Sequence, residues 1–305
     1  MFSHVLVGSD GRPGADDALA LGAAVASATG ARLSLLGAFP PSLLPVEGVT
    51  DRKTLRAEAT RMLREQRHRL ARDAVVRTIA DPSPARALRH FARRSRADLV
   101  VVGSSHHAAP GHVAIGRTGR QLLYDAPFSM ALAARGVHER SPELRAIGVG
   151  HDGGAEADVA LSVAAELARA THAKLLLRRV VEDRVPVLTG EQWMALADWN
   201  HEHMWERERQ KALVEAQAAA SGLPIPAEVS ATVGDPGYEI RAFSEAVDLI
   251  VVGSRRWGPV ARIVTGGVGE TLVTDAACSV LIVPRPAPAR SAGSGGQGAS
   301  RPAAA

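Results

Sequence analysis

Four glycines and two aspartates, set at matching intervals, hold most of the chemistry open to this chain. Gly116 follows Gly103 by thirteen positions and Gly266 follows Gly253 by the same thirteen, with Ser104 and Ser254 directly after the first glycine of each pair. Glycines so placed let backbone N–H groups approach a phosphate, and a helix starting near Gly116 or Gly266 would add its positive end. The alternative is structural: the first glycine ends a strand and the second caps a helix. Spacing alone does not choose between them. Asp10 and Asp152 are the other polar landmarks, each ending an apolar run at the start of a repeat.

Other reactive patterns carry less. The only lysines, Lys53, Lys174 and Lys211, follow Arg, Ala and Gln, so no glycine-lysine phosphate loop of the GxxxxGK type exists. GVGHDG (148–153) fits GxGxxG between a strand and a helix, but its first glycine aligns with Leu6 of the other repeat, and the acidic residues after the second strand lie nearly thirty positions on, beyond the usual ~20 of a dinucleotide site. His201-Glu202-His203 lacks the HExxH spacing that puts two metal ligands on one helix face. His106, His107 and His112 share one predicted loop, where exposed histidines are commoner than ligands, and no metal is expected. Ser104 and Ser254 have no His/Asp relay at a recognisable spacing, and no pair of carboxylates is set for acid–base work. The expectation is a binding protein without enzymatic turnover.

These residues recur because the elements that position them recur. DLVVVGS (98–104) returns as DLIVVGS (248–254), and each reads as a strand buried on both faces and stopped by Gly-Ser. In the first repeat HVLVGSD (4–10), ARLSLLGAF (31–39), AVVRTIA (74–80) and SMALAA (129–134) supply the other strands. Helical stripes lie between them: Ala18, Leu21 and Val25; Leu55, Ala59, Met62, Leu63 and Leu70 in a helix from about Thr54 to Arg72; and Leu88, Phe91 and Ala92. The second repeat follows the same order with LRAIGVGHD (144–152), AKLLLRRVV (173–181), a longer helix from about Glu191 to Ala220, AEVSATVGDPG (227–237) and SVLIV (279–283). Trp193, Trp199 and Trp205 on the longer helix read as a packing or interface stripe. Alternating strands and helices imply right-handed crossovers and parallel sheets, with ligands bound beyond the carboxyl ends of the strands.

The 305 residues suffice for two domains, expected at 1–136 and 143–285. The segment 286–305, dominated by Pro, Ala, Gly and Ser, is expected to be disordered. The net charge is +4, and all but three of the 36 basic residues are Arg. With Ala also enriched, this reads as a solvated surface written by a GC-rich genome, and no aromatic-interleaved basic patch points to nucleic acid. No apolar run reaches the roughly 20 residues that span a bilayer, so no membrane association is expected. Strand-like sequence from His4 leaves no room for a signal peptide, and the single Cys278 cannot form an internal disulfide; both fit a cytoplasmic location.

Taken together, the strand ends at Asp10 and Asp152, the GDPG turn (234–237), the DLVVVGS/DLIVVGS pair and the last apolar strands resemble the universal stress protein family in its tandem form. The resemblance implies two doubly wound parallel-sheet domains of the adenine-nucleotide alpha-hydrolase-like type, strand order 3-2-1-4-5. It also implies that the last strands pair across a pseudo-two-fold axis, giving an internal dimer that could dimerise again. Nucleotide-binding members carry Gly, two residues, Gly, nine residues, then Gly followed by Ser or Thr. Gly103 and Gly116 fit the first and third glycines, while His106 and Arg117 replace the second glycine and the hydroxyl residue. Gly253 and Gly266 fit likewise, with Arg256 and Gly267 at the two departing positions. ATP or AMP is the ligand so implied, held by Asp10, Ala38, Gly103, Ser104, Gly116 and Arg117 in one half and by Asp152, Val180, Gly253, Ser254, Gly266 and Gly267 in the other. Arg117, Arg120 and Arg256 could supply charge to the phosphates. The rival reading is a nucleotide-free interaction module, whose loops and long Trp-bearing helix meet a protein partner that the sequence does not name.

Overall fold

The computed structural model describes residues 1–40, 52–124, 126–140, 143–183, 201–254 and 267–284, with backbone alone at 201–203. Trp193, Trp199, Arg256, Gly266 and the 286–305 tail lie outside the described residues.

The first repeat runs β1 (His4–Ser9), α1 (Pro13–Thr29), β2 (Arg32–Phe39), α2 (Arg52–Leu70), β3 (Val75–Ala80), α3 (Pro84–Ser95), β4 (Leu99–Gly103), α4 (Arg117–Leu123) and β5 (Ser129–Ala133). A short 3-10 turn, Val137–Arg140, leads to the second. There the order is β6 (Ala146–Gly150), α5 (Ala155–Thr171), β7 (Lys174–Glu182), α6 (His201–Ala220), β8 (Ala227–Gly234), α7 (Pro236–Phe243), β9 (Leu249–Gly253), α8 (Val268–Asp275) and β10 (Ser279–Val283).

All ten strands form one sheet, in the order β3-β2-β1-β4-β5-β10-β9-β6-β7-β8. Each half has the order 3-2-1-4-5, and neighbours within a half are parallel. The halves meet where β5 and β10 pair antiparallel, Leu132 opposite Val280, Ala131 opposite Leu281 and Met130 opposite Ile282. The last strands thus join the repeats as an internal pseudo-dimer.

Burial explains the strand composition. In β4, Leu99 and Val101 enter a core under α1, α2, α5 and α6, while Val100 and Val102 enter the opposite core under α3, α4, α7 and α8. A strand covered on both faces needs apolar side chains at every position, which is why DLVVVGS shows no alternation. The aspartate that opens this motif is structural: Asp98 accepts hydrogen bonds from the N–H groups of Ser3 and His4, 2.8 and 3.0 Å away, and from the Ser3 hydroxyl. Asp248 accepts from the Arg145 and Ala146 N–H groups at 2.8 and 2.9 Å. Each carboxylate satisfies the first donors of the neighbouring central strand, at the end of the sheet away from the paired glycines.

Helix ends follow local chemistry. Pro13 opens α1, and Gly30 closes it in the left-handed region at φ 68°, donating its N–H to Ala26 O. Ser83 and Asp235 cap α3 and α7 by accepting from the Arg86 and Tyr238 N–H groups. Helix α2 starts at Arg52, two residues before the position expected from its apolar stripe.

Candidate functional site

Strand register gathers the candidate residues. Ser9 pairs with Gly37 and Val7 with Val101, so Asp10, Ala38 and Ser104 stand together at the carboxyl ends of three adjacent strands. In the second half Gly150 pairs with Arg178 and Val149 with Val251, which sets Asp152, Val180 and Ser254 in the same relation. Both groups lie beside β1–β4 or β6–β9, where strand order reverses and open α/β sheets form a crevice.

The turn after β1 is tight. Asp10 Oδ1 accepts from the Arg12 N–H at 3.1 Å, leaving a carboxylate that is 63 % exposed. Gly11 has φ +77°, and Met62 of α2 lies so close that a Cβ at Gly11 would sit 2.1 Å from its sulfur. Ser9 Oγ donates to Gln66 at 2.6 Å, Gln66 donates to Asp16 at 2.7 Å, and Arg69 also reaches Asp16. This chain of bonds holds α2 over the turn. Ala38 is half-buried beside it.

Gly103 owes its identity to packing. A Cβ there would lie 1.8 Å from Gly14 O, and one at Gly14 would lie 2.8 Å from Ser104 O. The first turn of α1 therefore rests directly on the end of β4, backbone against backbone. Sequence reasoning missed Gly14; the available signal was a glycine in the first turn of a helix, where it costs stability unless something approaches closely.

The segment from Ser104 to Gly116 is a closed loop. Ser104 Oγ donates to Ala133 O at 2.7 Å, so that hydroxyl is engaged by β5. The Ser105 N–H donates to Ala114 O, and those of Ala108, Gly111, His112, Val113 and Ile115 also find carbonyl acceptors. Val113 and Ile115 turn inward and are 1 % and 7 % exposed. Among the described residues, Ala109, Thr118 and Gly119 have backbone N–H groups that meet no acceptor, and so do His106, Gly116 and Arg117. The last three are the second-glycine, third-glycine and hydroxyl positions of the spacing pattern. Gly116 is the N-cap of α4, extended at φ −80° and ψ 177°, and Arg117 is its exposed first residue. Free first-turn N–H groups can receive an anion, and the exposed Asp10 carboxylate, whose Oδ2 lies 3.7 Å from Arg12 Nε, can accept from a donor-bearing ring.

The second half departs from this arrangement. Asp152 Oδ1 accepts from the Gly154 N–H at 2.8 Å, and Gly153 has φ +83°. Here the turn is covered by a cation: a Cβ at Gly153 would sit 2.6 Å from Arg179 Nη1, and Arg179 pairs with Glu215 of α6 at 2.9 Å. A Cβ at Gly253 would lie 2.3 Å from the carbonyl oxygen of Glu156, so a carboxylate residue stands where the first half has Gly14. Val180 is half-buried, and Gly267 is the exposed N-cap of α8.

Besides His112, whose Nδ1 lies 3.3 Å from Asp275 Oδ1, two more closely spaced imidazole–carboxylate pairs were not foreseen. His138 Nδ1 lies 2.5 Å from Asp17 Oδ1, and His151 Nε2 lies 2.9 Å from Asp158 Oδ1. Among the described residues neither imidazole is hydrogen-bonded to a hydroxyl or thiol, so neither forms a nucleophile relay. Cys278 is buried, and desolvation pushes its thiol well above the ordinary range, which keeps it protonated. Among the described residues no three His, Cys, Asp or Glu side chains come together as metal ligands, and no helix is long and apolar enough to cross a membrane.

Comparison with known proteins agrees with this architecture. The family model described as "Universal stress protein family" matches residues 1–133 and again 143–284. A universal stress protein of Synechocystis sp. is 35 % identical over 102 residues, which is 32 % of this chain and 89 % of that protein. The crystal structure of a universal stress protein from Archaeoglobus fulgidus superposes with a TM-score of 0.64 at 18 % identity, covering 93 % of this chain and 99 % of that one. A functionally unknown protein from Pseudomonas aeruginosa has the same fold, with a TM-score of 0.56 at 16 % identity, covering 93 % of this chain and 92 % of its own. The chain belongs to the universal stress protein family and carries its domain twice in tandem.

Proposed function

We propose that the protein is a cytoplasmic stress-response regulator that binds an adenine nucleotide, ATP or AMP, in the crevice of the first repeat and releases it unchanged. The observation that carries this reading is the set of unsatisfied N–H groups at His106, Gly116 and Arg117. They lie on the segment that leaves the carboxyl end of β4, beside the strand ends that carry Asp10 and Ala38. Phosphate oxygens would accept from them, Arg117 would add charge, and the Asp10 carboxylate would accept from an exocyclic amine. The second repeat is the weaker site, because the larger Glu156 stands beside Gly253 where the first repeat has Gly14, and Arg179 covers the turn.

Helix geometry supplies a specific test. Arg117 is the first residue of α4, a position where proline keeps the helix while removing the N–H. Arg117→Ala deletes the guanidinium alone; Arg117→Pro deletes the N–H as well. Calorimetric titration of stripped protein should show Arg117→Pro binding ATP about tenfold more weakly than Arg117→Ala, the worth of one hydrogen bond to a charged acceptor at ~1.5 kcal/mol. Equal affinities would remove the backbone donor from the site. Protein that carries no nucleotide when purified and ignores millimolar ATP would sink the reading altogether.

A second reading, a nucleotide-free interaction module, is favoured by one observation: the Ser104 hydroxyl and most loop donors already have partners within the protein.

A further inference from the structure

The loop that presents the three free N–H groups is held mainly by parts of the molecule outside the first repeat's own sheet. Arg135, in the linker after β5, pairs with it through the backbone: Gly111 donates to Arg135 O at 2.9 Å and Arg135 donates to His112 O at 3.0 Å. The Arg135 guanidinium donates to Ala108 O at 2.7 Å and to His106 O at 3.3 Å. From the other side, Val113 donates to Ala276 O at 2.9 Å and Ile115 to Val273 O at 2.7 Å. Both acceptors belong to the end of α8, in the second repeat. Carbonyls of a last helical turn have no partner within the helix, and here the loop satisfies two of them. Val113 and Ile115 also enter the apolar cluster containing Leu272, Val273 and Ala276.

Separating the loop from α8 would strand two donors and two acceptors in apolar surroundings and expose both side chains, so loop and helix end move as one body. Ile115 is the residue before Gly116. The opposite end of α8 is Gly267, about 12 Å away at 1.5 Å per residue, at the crevice of the second repeat.

We propose that the linker and the second repeat are working parts of the first repeat's nucleotide site: α8 and Arg135 position the loop that grips the phosphates, and bound nucleotide in turn tightens the docking of the two repeats. Arg135 is a positioning residue, acting through the loop carbonyls. The proposal rests on the nucleotide reading above, and by linkage the effect is reciprocal.

The test uses the full chain. Calorimetry with ATP comes first, followed by hydrogen exchange with and without saturating ATP. ATP should slow exchange severalfold in two places: the Val113 and Ile115 amides, and residues 272–276 at the end of α8. Arg135→Ala should weaken ATP about fivefold or more and blunt the α8 response, and Arg135→Lys should restore part of both. Slower exchange confined to the first repeat, with Arg135→Ala binding ATP as wild type does, would overturn the coupling while leaving the nucleotide site standing. Absence of any ATP binding would overturn both. Should Arg135→Ala fail to fold, the wild-type exchange pattern decides alone.

Discussion

Replacing Gly103 by alanine tests the backbone contact on which the first crevice is built. The added Cβ would sit 1.8 Å from Gly14 O and 2.4 Å from Gly14 C, where ordinary contact begins at 3.4 Å. Neither neighbour is the end of a flexible side chain, so the first turn of α1 must lift away from β4 by more than 1 Å. Overpacking of a filled interior costs about 1–3 kcal/mol, and a backbone obstacle belongs at the top of that range. Reduced freedom of the unfolded chain returns about 0.4–1 kcal/mol. The net loss is then about 2 kcal/mol, or roughly 4–8 °C in Tm for a cooperative unit of 150–250 residues. Gly222→Ala is the control, since an added Cβ there meets nothing within 4 Å. Thermal melts followed by circular dichroism, with urea titrations for free energies, make the comparison. Gly103→Ala should also weaken ATP, because Asp10 and the turn after β1 ride on the displaced helix end. A Gly103→Ala protein that melts with wild type and Gly222→Ala would refute the packing account.

Two further predictions concern buried polar groups. Asp17, 1 % exposed in α1, accepts from the Gly136 and His138 N–H groups and from His138 Nδ1, which clamps the linker onto the first repeat. Asp17→Ala should cost about 3 kcal/mol by urea denaturation, the scale expected when a buried charge–hydrogen-bond cluster loses one side; a loss under ~0.5 kcal/mol would mean that the clamp contributes nothing. His4 is 3 % exposed, and burial, with a smaller opposing effect from its bond to Ser95 O, holds its pKa below 6.5. The unfolded chain therefore takes up this proton first. The His4 contribution is complete above pH 6.5 and is lost as pH falls from there toward the folded-state value, so a His4→Gln variant should show a flatter stability profile across that interval. An unchanged slope would remove His4 from the acid response.

The fold was legible because its strands are covered on both faces. Runs such as Val100–Val102 and Ile250–Val252 have few other uses, and their repetition marked the two halves, while the strand order came with the family resemblance. The placement of Asp10, Ala38 and Ser104 was equally accessible, since parallel register from a shared strand leaves little choice. What the loop does was not legible. Val113 and Ile115 lie in a segment that reads as polar punctuation, and their burial depends on α8, more than 150 residues away in sequence. The Asp17–His138 clamp was hidden for the same reason: Asp16 in the first turn of α1 and Asp17 directly after it look like ordinary N-terminal charge, and only the linker's path makes Asp17 a buried acceptor of its groups. Ser104 illustrates the converse. Its position was readable, but the direction of its hydroxyl, toward Ala133 O, belongs to the sheet.

The seam between β5 and β10 has a consequence for how the halves can differ. Three facing pairs of residues make a small patch for two free molecules to find one another. Twelve residues of chain between Ala133 and Ala146 change that problem, because a short tether holds its ends at an effective concentration on the order of millimolar. A seam worth about 4 kcal/mol of its own is then closed half the time, and each further ~1.4 kcal/mol favours the closed form another tenfold. Proximity does what surface area would otherwise have to do. In a pair of identical chains every substitution appears twice, and a change that spoils one crevice spoils both. One chain with two copies is free of that symmetry, and the replacement of Gly14 by Glu156 and of Gly37 by Arg179 at equivalent positions records its use: one crevice keeps an open backbone while the other takes on charge.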